Sequence, residues 1–595
     1  MIFFFLITIY TSRIISFDKL NPIIKINLIT KYFSTSNITS PYSIQLHSDT
    51  GDFTCLFNQL TSIDNLNLSF GNLNSLPIEI SLLENIKHLN LSNNNFTTVK
   101  YIHLLKLISL NLNYNNLTTI PTSILQIITL LVLTISNNYL TYVNHLLGNL
   151  IHLEQLNLSN NNLRMVSNKI ILPSLQKLNL SNNFIGKDKN FIGIENSIKK
   201  NFIERLLLET FSFIKNSNNI NLVDISDNDI QNMDFCIKLN VKNLYLSNNL
   251  LTEIPAFICK LKYLETLFID SNKIKEIKIY NYDFKRLIYL NLYDNNIKEI
   301  IISKKSLKHL KAIHLEKNNI KNIEIGNNAL TSIENIFLDT NEIIMLPKNT
   351  LNLKLKKLTL SNNKIEDIPL INTLEILDIS DNQILNIDNL NRLIHLKELF
   401  IENNPMTEIK DIPVKNIETL DLCNINITSC LNIFTLKRLK KVNLQNNYIE
   451  MIPEISTVNY SLEDINISDN NITVIPSTIS NLINLKILNI FKNKIKEIPQ
   501  ELFTLKKLNF LNISYNKIKH IPKNIENITL DLDITNNNIR MFRQNRIFKN
   551  KDDNNIYYGL IDILLLSNIN VIHNYKINIP VEEILKEIEE YNYKN

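Results

Sequence analysis

The sequence predicts an α/β solenoid, a curved horseshoe with a parallel concave β-sheet and short convex turns or helical segments. Three observations predict it. An eleven-residue pattern, apolar at its first, fourth, sixth and eleventh residues with Asn at its ninth, can be placed 21 times, most often 23 residues apart. Proline recurs at one point behind the pattern, just after an apolar residue, as in Glu497-Ile498-Pro499 and His520-Ile521-Pro522. The 595 residues include only 7 Gly and 15 Pro, so no stretch reads as a hinge, although length alone suggests about three or four domains.

Each part of the pattern has a physical reason. In Leu153-Glu-Gln-Leu-Asn-Leu-Ser-Asn-Asn-Asn-Leu163, the central residues form a short strand whose alternate leucines point into the interior. Successive coils stack these strands into one parallel sheet, and each coil buries its leucines against the next, so no coil is stable alone. The ninth-position Asn closes the turn after the strand, because its amide both donates and accepts and can satisfy backbone groups left unpaired there. Asn94, Asn115, Asn138 and Asn161 are expected to stack as a buried ladder, with local irregularity where Gly71 and Ile425 replace Asn. Proline then fixes φ and ends strand geometry as the chain turns to the convex side. Segments such as Ser477–Leu482 leave room for about one or two helical turns.

These residues are those of leucine-rich repeats, and the chain resembles that family from about residue 63 to 541. The 23-residue step with Ile-Pro-x-x-Ile resembles the intracellular Ras-binding scaffold group. Steps of 19 to 22 residues are similar to the shorter repeats of the leucine-rich regulatory subunit of protein phosphatase 1. The resemblance implies a non-catalytic protein–protein interaction scaffold or regulatory binding protein that uses its concave face. A regulatory subunit of protein phosphatase 1 and a secreted or surface recognition protein are the alternatives it leaves open. Arg13-Ile-Ile-Ser-Phe17 fits the loose docking pattern for that phosphatase, one that chance also produces often.

Residues 1–62 are expected to be an N-terminal segment and cap, 63–541 a solenoid of about 21–22 repeats, and 542–595 a C-terminal cap. In that cap, Pro580–Tyr591 reads as a helix with Val581, Ile584, Leu585, Ile588 and Tyr591 on one face. The step from 175 to 220 spans nearly two repeats. Ile203, Leu206 and Leu208 begin the pattern there, which favours a degenerate repeat at 186–219. The alternative is a looped-out amphipathic helix using Ile194, Ile198 and Phe202.

Composition excludes several functions. Lys+Arg 62 against Asp+Glu 57 gives a net charge of +5, nearly neutral for this length, so nucleic acid is not expected as a partner. The excess of Ile, Asn, Lys, Tyr and Phe follows A/T-rich codons and carries little function by itself. No Gly-rich phosphate loop, H-E-x-x-H or G-x-S-x-G occurs, and the His residues share no metal spacing, so neither an enzyme, a cofactor nor a metal is expected. The N-x-Ser/Thr triplets arise mechanically from Leu-Asn-Leu-Ser. Cys55, Cys236, Cys259, Cys423 and Cys430 are odd in number and form no C-x-x-C, which reads as free thiols in the cytoplasm. The apolar run Ile2–Ile9 is too short for a membrane span. As a signal peptide it would make the protein secreted, but no basic residue precedes it. No transmembrane span is expected, and the oligomeric state is left open.

One departure from the repeat's own background marks a candidate site. The residue between the two strand leucines points out of the concave face and is usually Asn, as at Asn111, Asn157, Asn466 and Asn512. In the middle of the array the same position holds Tyr245, Phe268, His314, Phe337 and Phe400. The next outward position, commonly Ser, holds Asp270, Tyr293, Glu316, Asp339 and Glu402, and Tyr289 lies on the same face. Stacked in register, these side chains are expected to form a contiguous aromatic stripe flanked by carboxylates, suited to a protein partner with a basic surface.

Overall fold

The computed structural model describes residues 64–538 apart from 77–79, 82, 187–195, 218, 232–238, 281–283, 407–411, 430–431, 521 and 523–530, together with strands at 43–45, 548–549 and 556–557. The readings placed on Ile2–Ile9, Arg13–Phe17, Cys55, Cys236, Cys430 and Pro580–Tyr591 lie outside the described residues. The chain divides into two units, Met1–Leu355 and Lys356–Asn595.

Each unit is a stack of coils built on a parallel sheet. Among the described residues of the first, thirteen three-residue strands run from Ser43–Gln45 to Asn335–Phe337, each paired with its neighbours in sequence. Among those of the second, nine run from Lys357–Thr359 to Asp531–Asp533 in the same way. Each of the 21 pattern placements carries a strand at its third to fifth residues. The leucines on the inner side, such as Leu133 and Ile135, are fully buried. Burying one such side chain is worth about 1.5–3 kcal/mol, which makes the interior of each coil its main source of stability.

Two successive residues close the turn, for different reasons. The eighth residue of all 21 placements has φ between +50° and +59°. Fourteen of the 21 are Asn or Asp, the non-glycine residues that tolerate this left-handed region best. The ninth-position Asn forms the expected ladder. Asn138 Nδ2 donates to the Leu112 and Ser136 carbonyls at 2.9 and 3.1 Å, and its Oδ1 accepts from the Leu117 N–H at 2.9 Å. Where the ladder is interrupted, the next coil compensates. Asn94 Oδ1 accepts from both the Gly71 and Leu73 N–H groups, and Asn447 Oδ1 from both Ile425 and Ile427. At both interruptions a second left-handed residue follows, Asn72 and Asn426, which is the irregularity expected there.

On the opposite side of the coil, prolines cap short helical turns. Pro347, Pro476 and Pro499, with φ of −63°, −68° and −67°, precede the 3₁₀ turns Lys348–Asn352, Ser477–Asn481 and Gln500–Thr504. Three consecutive coils of the first unit differ. They place Lys278, Ile301 and Glu324 where four other coils of the unit place Pro77, Pro121, Pro255 and Pro347, and there the chain forms a second parallel sheet from Glu276–Ile279, Glu299–Ile302 and Asn322–Ile325. Without proline the backbone N–H is free to donate, and the run of isoleucines favours strand. In the coils on either side Pro255 and Pro347 return at the same offset, where a strand would lack a donor. At the end of this sheet Gly326 is required by close approach, since a Cβ there would lie 2.3 Å from the Lys304 nitrogen.

The region between residues 175 and 220 corrects one expectation. Asn196–Asn216 is an α-helix, and the strand Lys177–Asn179 pairs directly with Leu222–Asp224, so no degenerate repeat contributes a strand between them. Leu206 and Leu208 match the pattern two residues apart, yet Leu208 is 43% exposed. Among the described side chains of the helix, the buried ones are Leu207, Thr210, Phe211, Phe213 and Ile214, most of them at helical spacing. Thr210 Oγ1 accepts from the Val166 N–H at 3.1 Å, and Phe211 meets Phe257 edge to face, which holds the helix to the coils on either side. Among the described residues no helix is long and apolar enough to cross a membrane.

Candidate functional site

The outward residues of the first unit's sheet bring five rings together. Tyr245 stacks on Phe268 with centroids 5.0 Å apart, Phe268 meets Tyr289 at 5.1 Å, Tyr289 meets His314 at 5.2 Å, and His314 stacks on Phe337 at 4.2 Å. Strand register explains the order. Tyr245 lies beside Phe268, and His314 beside Phe337, but Asn291 separates Phe268 from His314. Tyr289 occupies the neighbouring outward position, between Thr266 and Ala312, and its ring closes that gap. The small neighbours leave room for it to lean across.

The rings are half-buried rather than fully exposed, because each covers the faces of the next. The acidic row runs alongside. Asp270 Oδ1 accepts from Ser247 Oγ at 2.6 Å and from Asn291 Nδ2 at 3.0 Å. Glu316 Oε1 is 2.9 Å from His314 Nδ1, while Glu316 Oε2 is buried without a hydrogen-bond partner. Burial first, then the charges of Glu316 and Asp270, raise the Tyr289 phenol above its ordinary value, so it stays protonated. Asp339 follows in the next coil.

Tyr293 is in the acidic row but does not join the ring stack. Lys317 Nζ lies 5.0 Å from its ring centroid, a cation–π contact that sequence reasoning missed. Also missed was Asp224, in register beside Tyr245 at the start of the stack. Burial raises its carboxyl above the usual range, and two bonds from Ser226 oppose this. The repeat offset alone would have found Asp224, whereas Lys317 is the turn's eighth residue and its place over Tyr293 depends on packing between coils.

Phe400 and Glu402 do not continue the stripe. They belong to the second unit, where Phe400 lies in register between Asp378 and Asp421, so no ring adjoins it there. The contiguity read from sequence followed residue types at one offset, and it fails because Thr359 and Asp378 occupy that offset in the two coils before Phe400. Glu402 instead sits among carboxylates. Burial, then Asp421, Asp378 and Asp381, push its carboxyl up to about 7, and its Oε2 is buried and unpartnered. The adjacent Cys423 thiol is pushed up to about 11 by burial, then by Asp421 and Glu402, which keeps it protonated near neutral pH. Among the described residues no group of three His, Cys, Asp or Glu is placed to hold a metal.

Comparisons with known proteins bear on the fold. Models described as Leucine Rich Repeat match residues 85–104 and 106–127, one for two copies matches 239–282, and a further one matches 437–495. No curated protein matches the chain. Among solved structures, the Toll–Spatzle complex of Drosophila is similar at 16% identity and a TM-score of 0.53, over 86% of this chain and 82% of that one. A leucine-rich repeat protein of Leptospira interrogans is similar at 23% identity and a TM-score of 0.42, over 84% and 100% of the two chains. YopM from Yersinia enterocolitica is similar at 20% identity and a TM-score of 0.46, over 80% and 87%.

Proposed function

Since the chain is a leucine-rich repeat protein, we propose that it is a non-catalytic binding scaffold that holds a protein partner along the ring stripe of its first unit. The observation that supports this is the stack from Tyr245 to Phe337 on the side of the sheet that faces solvent. Most other coils of the unit carry Asn there, which would serve the fold equally well. Aromatic side chains are the usual anchors of protein interfaces, and rings already ordered by one another lose little freedom on binding. The three-stranded second sheet lies in the coils that begin at 264, 287 and 310, those carrying Phe268, Tyr289 and His314. Backbone pairing on both sides of these coils gives the stripe a rigid platform. The reading also places the chain in a reducing compartment, because its five cysteines are odd in number and form no C-x-x-C pair.

The test is parallel affinity purification from the native cell with the wild-type chain and with Phe268→Asn, His314→Asn and Phe337→Asn combined. The variant is expected to keep its helix and sheet content by circular dichroism and to lose about tenfold or more in affinity for the protein recovered with the wild type. Full affinity in the folded variant would place the binding site elsewhere.

A further inference from the structure

We propose that the ligand of the ring stripe is an extended peptide segment rich in Lys or Arg, lying across the strands. Its apolar side chains would rest on the ring edges, and its cationic ones would face the row of Asp270, Glu316 and Asp339. This rests on the binding reading above and adds the chemistry of the partner.

The first argument is what the rings present. Tyr245 and Phe268 lie within 21° of parallel and His314 and Phe337 within 14°, so these rings spend faces on one another. Sugars, nucleobases and quaternary ammonium groups are held by aromatic faces, and along most of this stripe those faces are taken. The outward edges and the two phenol hydroxyls suit alkyl side chains and peptide groups instead.

The second argument is the asymmetry of charge. One flank of the stripe carries Asp270, Glu316 and Asp339, and the other carries Thr266, Ala312 and Asn335. At the Tyr245 end, Asp224 stands in register with the first ring. The whole chain has a net charge of +5, so this acidic row runs against the protein's overall sign. A bound segment would therefore place cations on one side only, as alternate residues of an extended chain do. Lys317, resting over Tyr293, shows that this margin already holds one ammonium group of the chain's own.

The third argument is size. The stripe is one ring wide and crosses five strands, about 20 Å at the usual strand spacing. About six residues of extended peptide cover that length. The rigidity of the double-sheeted coils limits the cost of binding to ordering the segment itself.

The experiment selects random linear peptides of about twelve residues on the immobilised full chain, with counter-selection on the triple ring variant. Recovered peptides are expected to be rich in Lys or Arg with apolar residues at alternate positions. Their affinity should fall about tenfold or more in Asp270→Asn, Glu316→Gln, Asp339→Asn combined, and fall with added NaCl for the wild type. Acidic or neutral winners, binding indifferent to salt, or no ring-dependent peptide at all would each overturn the inference. If the ring variant loses the cellular partner while the acid variant keeps it, the scaffold reading survives and the basic-peptide inference falls.

Discussion

His314 lies flat against Phe337, with ring centroids 4.2 Å apart and planes 14° from parallel, while its Nδ1 sits 2.9 Å from Glu316 Oε1. The imidazole is thus fixed by an aromatic face and by a carboxylate of its own coil, and it carries the stack from Tyr289 to the last ring. His314→Phe is expected to keep the stack and the partner affinity, since only ring contact is needed. His314→Asn should cost about 1 kcal/mol of binding, the usual worth of one aromatic pair, as read by titration calorimetry with the recovered partner.

The ladder Asn is expected to matter far more to stability than its neighbour. Asn138→Ala removes the partner of the Leu117 N–H inside the coil stack, and one of two donors to the Leu112 carbonyl, which keeps Asn115 Nδ2 at 3.1 Å. Leaving that buried N–H unpaired should destabilise the first unit by about 1–3 kcal/mol in urea unfolding. Asn137→Gly, at the left-handed position just before, should change stability by about 1 kcal/mol or less, because Gly accepts that φ.

Gly326→Ala is expected to destabilise the second sheet. The new Cβ would meet the Lys304 nitrogen at 2.3 Å and its Cα at 2.7 Å, and backbone cannot move aside cheaply. A loss of about 1–3 kcal/mol is expected, with faster amide exchange across residues 299–302 and 322–325.

Glu402 makes stability depend on pH. Its carboxyl is pushed up to about 7 in the folded chain from an ordinary 4.5, so the folded state binds the proton more tightly than the unfolded one. That contribution is fully present below about pH 4.5 and is lost as pH rises through about 7. Glu402→Gln should therefore stabilise the second unit at pH 8 and have little effect at pH 4.5. Solvent screening of this part-exposed group keeps the gain to about 1 kcal/mol in thermal melts.

The coil was legible in the residues alone. Each pattern placement predicted a strand, the Asn ladder and its two interruptions were legible, and so was the position of the aromatic residues. Coils in a solenoid touch mainly their neighbours, so a rule written in every 23 or so residues is enough to specify them. What needed tertiary structure was whatever depends on which side chains adjoin. Offset counting put Phe400 in the stripe, but register sets it between two aspartates. Tyr289 closes the gap at Asn291 because Thr266 and Ala312 leave it space, a fact of packing between coils. At 196–216, two leucines fitted a strand, yet the helix wins because it turns Leu207, Thr210, Phe211 and Ile214 inward together. Local spacing permits both geometries, and the surface available for burial on the neighbouring coils decides between them.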